Sequence, residues 1–324
     1  MRHLFTLSML CAGLLLLPAS VGAQQQAQYS MYASNPLLFN PASAGMADAL
    51  LLDARLRKQW AGALPGAPEE RRVSAQMPLY IARSGLGISL EQQLIAAEEW
   101  LNVKLAYNFQ GELRNSRWAL GADIGWQQQG IRGDMLRTPG GIYEGPTVQH
   151  NDNRLFENNW QQAWLTAGLG AFWQSEQWEA GLSVQGISLG AFAKQNPPIA
   201  LKPHYYLYSA CRLEWGTAWL WRPSLLLKSD LVSWQLDLSS VWEWNGNISG
   251  GLALRGYDRL SLDAVVLSVG YRLSEQWRLA YSYDWTLSAL RRVSDGSHEF
   301  WLQYTFGTVP GKGKLPPIIY NPRF

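Results

Sequence analysis

The sequence predicts an all-β fold: a transmembrane antiparallel β-barrel of about 14 strands, with a periplasmic N-terminal arm and a periplasmic C-terminal tail. Three observations carry that expectation. Trp277, Leu279, Tyr281, Tyr283, Trp285 and Leu287 fall on one parity, and Arg278, Ala280, Ser282, Asp284 and Thr286 on the other. A strand sends alternate side chains to opposite faces, so this stretch has an aromatic face and a polar one, as a strand between two aromatic girdles would. Composition agrees: charged residues are 16% of the 324-residue chain, which holds 17 Trp, 14 Tyr and 30 Gly. Soluble domains carry roughly 25% charge, and Trp and Tyr collect at membrane interfaces. Third, long connections alternate with short ones.

Residues 1–23 read as a secretory signal. Arg2 and His3 form the charged end, Leu4 to Leu17 the apolar core, and Val21-Gly22-Ala23 the cleavage site. The apolar run is short for a spanning helix, which needs roughly 20 residues. Cleavage near Ala23 leaves Cys211 as the single cysteine, so no internal disulfide is expected. Residues 24–48 form the arm. Its prolines and asparagines break any ladder, yet Tyr29, Tyr32, Leu37, Leu38 and Phe39 are too apolar for a solvated tail. The arm is therefore expected to dock at the barrel's periplasmic mouth or inside it.

Residues 49–306 carry the strands. Alternation starts at Ala49 to Trp60 and continues through Arg72 to Tyr80 and Gly85 to Leu94. Leu101 to Phe109, Trp118 to Trp126, Leu165 to Trp173 and Trp178 to Val184 repeat it more cleanly. Further strands are expected near Tyr205–Trp215, Trp219–Leu227, Leu231–Trp244, Ile248–Leu254 and Leu260–Leu273, with Glu299 to Phe306 closing the series. With a periplasmic start, the odd-numbered connections lie outside the cell. They include the four longest, Ala61–Arg71, Gly130–Trp160, Gly190–Pro203 and Ser288–Ser297. Short periplasmic turns and longer external loops are the habit of outer-membrane barrels. Lipid cannot satisfy open sheet edges, so a strand protein in a membrane must close, which places this one in the outer membrane. Residues 307–324 form the tail, kept extended by Pro310, Pro316, Pro317 and Pro322.

Several segments together resemble the PorP/SprF family of type IX secretion membrane proteins of Bacteroidetes-type bacteria. Gln28-Tyr29-Ser30-Met31-Tyr32, then Asn35-Pro36 and Asn40-Pro41-Ala42-Ser43-Ala44-Gly45, are similar to its opening signature, which commonly has Tyr where Ser43 stands. Arg57-Lys58-Gln59-Trp60, Arg222-Pro223-Ser224 with Lys228, Tyr281-Ser282-Tyr283-Asp284 and Gly296-Ser297-His298-Glu299 resemble later elements. Pro322-Arg323-Phe324 resembles the family's ending, although Asn321 replaces a frequent Cys. The resemblance implies a barrel that supports export and surface anchoring of adhesins, often connected with gliding motility. It implies as partners an adhesin's C-terminal domain and periplasmic ring, motor or peptidoglycan-binding proteins. On that footing Tyr29, Asn40, Pro41 and Gly45 are the arm's expected partner-docking residues. Gln59, Trp60, Pro223, Ser224, Tyr283, Asp284 and Glu299 are expected structural positions.

The polar parity carries Lys104, Asp123, Glu179, Arg222, Asp237, Arg255, Arg278, Asp284 and Glu299. Arg or Lys facing lipid near the midplane costs roughly 2–4 kcal/mol, so these groups are expected to face the lumen. There they serve as structural pairs, as a selectivity filter, or to hold a docked peptide. Enzyme activity is not expected. His298, with Ser297, Glu299 and Asp284 nearby, is the sole candidate cluster, and strand neighbours such as His298 and Glu299 point to opposite faces. No His or Cys spacing suits a metal, and no glycine-rich strand-to-helix loop suits a nucleotide. No cofactor is expected. A net charge of +2 gives no nucleic-acid footprint. The alternative to an assembly component is a passive or substrate-selective channel, which has no need of two apolar, proline-rich periplasmic segments.

Overall fold

The computed structural model describes residues 28–62, 66–143, 148–152, 155, 157–192, 201–258 and 261–306. The signal (1–23), the first arm residues (24–27) and the tail (307–324) lie outside the described residues. Parts of four external connections do as well.

Fourteen strands form the wall. They are β1 Leu50–Lys58, β2 Glu69–Leu79, β3 Ser84–Ile95, β4 Glu98–Leu113, β5 Ser116–Ile131, β6 Trp160–Ser175 and β7 Trp178–Ala191. β8 has two segments, His204–Cys211 and Leu213–Trp215, interrupted at Arg212, and both pair with β9, Trp219–Ser229. β10 Trp234–Trp244, β11 Ile248–Tyr257, β12 Ala264–Arg272, β13 Trp277–Thr286 and β14 Ser297–Phe306 complete the series. Each strand pairs antiparallel with its sequence neighbour, and β14 returns to β1 in register from Leu50↔Phe306 to Lys58↔His298. Closure leaves no edge strand, as a bilayer demands. Among the described residues no helix is long and apolar enough to cross a membrane.

The expected strands appear with shifted ends. β4 to β7 run several residues longer at their outer ends than the alternation suggested. Leu231, expected in a strand, instead takes φ +68° in a tight 230–233 connection, and the strand expected from Leu260 begins at Ala264. The four longest connections share one end of the barrel, the outer one by the habit of such barrels. One outer turn, 96–97, is as short as any periplasmic one.

The two faces sort as the parity argument requires. Leu105, Leu120, Leu207 and Leu267 stand exposed on the outside, while Asp53, Arg57, Asn108, Asp237, Asp284 and Glu299 are buried in the bore. Rings gather at both rims. Trp221 stacks on Trp242 (5.3 Å) and Trp277 packs on Tyr304 (4.6 Å) at the periplasmic ends, and Trp234 meets Tyr257 (6.1 Å) at the outer ends.

Candidate functional site

The bore is crossed by the arm. Residues 28–48 thread it as three short 3-10 turns, Tyr32–Ser34, Pro36–Leu38 and Pro41–Ser43. The last two follow from the sequence. Each begins Asn-Pro, with proline at the first helical position, where its missing N–H costs nothing. Asn35 Oδ1 accepts from Leu37 N (3.1 Å) and Asn40 Oδ1 from Ala42 N (2.9 Å), each side chain capping its own turn.

The arm has a direction. At its start Gln28 donates to Gln235 and accepts from Arg255 Nη1 (2.7 Å), both near the outer ends of β10 and β11. At its end Asp48 accepts from Arg117 Nη1 (2.7 Å) and from Tyr80 Oη (3.1 Å), beside the periplasmic turns of β4–β5 and β2–β3. Of the two places expected for the arm, the periplasmic mouth or the interior, it takes the interior over its described length. It begins in the outer half, farther from the periplasm than its label as a periplasmic arm implies. Burial of its aromatic side chains explains why the bore is taken over the mouth: Tyr32 and Phe39 are 2% and 4% exposed, sheltered inside as no strip at the periplasmic mouth would be.

One flank of the arm sits on charge. Three guanidinium groups (Arg55, Arg57, Arg255) face four carboxylates (Asp53, Glu70, Asp284, Glu299). Arg57 reaches Asp284 at 2.6 Å, Glu299 at 3.2 Å and Glu70 at 3.5 Å. The arm is wired into this cluster. Ser30 donates its backbone N–H to Glu299 Oε2 (2.6 Å) and its hydroxyl to Asp284 Oδ1 (2.8 Å), while accepting from Arg57 Nη1 (2.9 Å). Arg55 donates to the Met31 carbonyl (3.1 Å) and to Ser34 Oγ (2.7 Å). Asp284 and Glu299 are both 0% exposed. Buried charges of this kind persist only when each has a partner and further hydrogen bonds.

The other flank sits on rings and on absent side chains. Phe39 packs against Tyr206 (5.9 Å) and Tyr208 (5.3 Å), and Tyr32 meets Tyr208 edge-on (6.4 Å). Tyr32 Oη also donates to the Ser224 carbonyl (3.0 Å). Asn40 Nδ2 donates to the paired carbonyls of Ala171 (3.0 Å) and Leu182 (3.2 Å). A Cβ at Gly170 would collide with Asn40 Oδ1, and one at Gly121 would stand 2.6 Å from Ala42 Cα. The luminal glycines of β5 and β6 are thus the space the third turn occupies. Gly45, at φ +68°, would place a Cβ 2.7 Å from the Met77 carbonyl carbon, so only glycine fits there.

The arm residues expected to dock onto a partner are thus placed against the barrel itself. Asn40 and Gly45 bond the wall, Pro41 starts the third turn, and Tyr29 donates to Glu91 Oε2 (3.2 Å). Of the expected structural positions, the bore brings together Gln59 (which donates to Glu70), Asp284, Glu299 and, through Tyr32, Ser224. It does not bring in Trp60, whose N–H meets Ser297 Oγ in the turn, or Tyr283, which donates to the Asp295 carbonyl at the outer rim. Pro223 lies on the outward parity, between inward Arg222 and Ser224. Asp53, Arg55 and Glu70 went unnamed in sequence, although Asp53, Arg55 and Arg57 share a parity on one strand. His298 and Glu299 do face opposite ways: Glu299 lies in the bore, while His298 packs outside on Tyr281, 2.7 Å from its hydroxyl.

The arm separates two cavities. The outer one is about 340 Å³, with Tyr29, Tyr32 and Phe39 as floor. The periplasmic one is about 140 Å³ and has Ser30, Met31 and Ser34 on its arm side.

A closed barrel, apolar to lipid and charged within, with its own N-terminal arm lodged across the bore, is an outer-membrane barrel of the internally plugged kind. The sequence profile described as type IX secretion system membrane protein PorP/SprF matches residues 21–304. The chain belongs to that family. Among solved structures the fold is similar to a Pseudomonas aeruginosa FadL homologue, at 12% identity and a TM-score of 0.46 over 82% of this chain and 92% of that one. It is also similar to the CymD monoaromatic hydrocarbon channel (11%, TM-score 0.47, 88% and 95%). A third is the toluene transporter TbuX of Ralstonia pickettii (9%, TM-score 0.49, 83% and 92%). No curated protein matches the chain.

Proposed function

We propose that this barrel is the outer-membrane part of a type IX system that supports export of adhesins and anchors them at the cell surface, with a role in gliding where the organism glides. An adhesin's C-terminal domain is the partner outside. Ring, motor or peptidoglycan-binding proteins are the partners in the periplasm, and the signal is removed near Ala23. Catalysis plays no part in this reading. The observation that supports it over a diffusion channel is the arm lodged across the bore, with Ser30 hydrogen-bonded to three members of a buried ion-pair cluster. A solute path through the middle would require the arm to give up those bonds, and a hydrogen bond to a charged group contributes about 1.5–3 kcal/mol.

The test is deletion of the gene followed by comparison of surface proteins in mutant and parent. Loss of specific adhesins from the surface, with the same proteins trapped or degraded inside, is the expected result. An unchanged surface with reduced uptake of small solutes would replace this reading by the channel one.

A further inference from the structure

The outer cavity has a lining that the arm does not use. Trp100 is braced by Trp164, with ring centroids 6.3 Å apart and planes at 15°, and forms a fixed aromatic wall. Around it stand the amides of Gln93, Gln127 and Gln129. Gln129 is 3% exposed and donates from Nε2 to Glu98 (3.3 Å), but its carbonyl oxygen has no hydrogen-bond donor among the described residues. Lys104 donates to Gln185 Oε1 (2.8 Å), and neither it nor Lys202 forms an ion pair among the described residues.

The same wall already holds a polypeptide. Arg72, which lines this cavity, donates from Nη2 to the Leu37 carbonyl of the arm (3.2 Å). Lower down, Asn108 Nδ2 donates to the carbonyls of Ala42 and Ala44 (2.7 Å to the latter). Side-chain amides and cations thus bind main-chain groups lower in the bore, and above Tyr29 equivalent groups have no main chain bonded to them among the described residues. A cavity of about 340 Å³ admits a short segment and excludes a folded domain.

We propose that the outer cavity receives an extended polypeptide segment of a partner protein, lying on the Trp100 wall, with main-chain N–H groups on Gln129 and carbonyl or carboxylate groups on Lys104 and Lys202. This rests on the secretion reading and names the part of the partner that enters the barrel.

The experiment places benzoylphenylalanine at Asn102, on the cavity wall, and separately at Leu105, which faces outward, in the full-length protein in living cells. Illumination of intact cells is expected to join position 102, not 105, to one short segment of a secreted protein, located by mass spectrometry. Trp100→Ala and Gln129→Leu should each cut that adduct at least tenfold while the barrel keeps its heat-dependent gel shift. Lys202→Ala, in a connection where the wall is undisturbed, should cut it at least threefold. The proposal is overturned by no adduct at 102, by an adduct to residues 24–27 of the same chain or to a glycan, or by adducts that the three variants leave unchanged. If deletion abolishes surface display while position 102 captures nothing, the secretion reading stands and this one falls.

Discussion

The two flanks of the arm hold it by different physics. On the β1, β2, β13 and β14 side the contacts are charge-assisted bonds to Ser30, Met31 and Ser34. On the β5 to β8 side they are rings against rings, and a turn set into glycine gaps. Charged bonds have fixed geometry and fail sharply when one partner is lost, so that flank sets where the arm sits. Ring packing is non-directional and scales with area, so the other flank supplies the burial that keeps it there.

Arg57→Ala should have the largest effect. It leaves Glu70 without a cation and Asp284 and Glu299 with one each, Arg255 and Arg55, and loss of one partner from such a buried cluster costs about 3–5 kcal/mol. The denaturant midpoint of the barrel in detergent should fall accordingly, and an unchanged midpoint would show that the charged flank holds nothing. Phe39→Ala probes the opposite flank and should cost about 3 kcal/mol, in the range for a buried Phe. Its signature is new protease cleavage within residues 28–48 while the strands stay resistant. Gly170→Ala fills the space beside Asn40 and should cost about 1–3 kcal/mol by overpacking. It should loosen the third turn while leaving Ser30 in place, which hydrogen exchange along the arm would separate. Lys58→Ala removes a pair with Glu69 whose side chains are 55% and 34% exposed, and should change stability by less than about 0.5 kcal/mol. A larger loss there would mean that charge matters on this barrel regardless of burial.

The wall was legible in the sequence because its rule is local. Parity on Trp277 to Thr286 fixes which side chains face lipid, whatever the neighbouring strands do. The arm's site was not legible, because it depends on closure. Ser30 and Glu299 are 269 positions apart and meet only once β14 pairs with β1. The alternation of Asp53, Arg55 and Arg57 signals an inward face, but not that Asp284 and Glu299 arrive opposite. The break in β8 at Arg212 was hidden for a related reason: the expected strand ran unbroken from Tyr205 to Trp215. Apolarity did give away that the arm is sheltered, yet it could not give the arm's direction.

That direction has a consequence for how the molecule is made. Ser30 touches Glu299 on the last strand, Asp284 on the one before it and Arg57 on the first, so a single residue spans the join between the two ends of the sheet. The arm acts as a keystone: those three bonds cannot coexist until the first and last strands meet, and they tie that junction from within once they do. The Ser30 end of the arm therefore becomes fixed only when the final strand is laid down, whatever the β5 to β8 flank already holds.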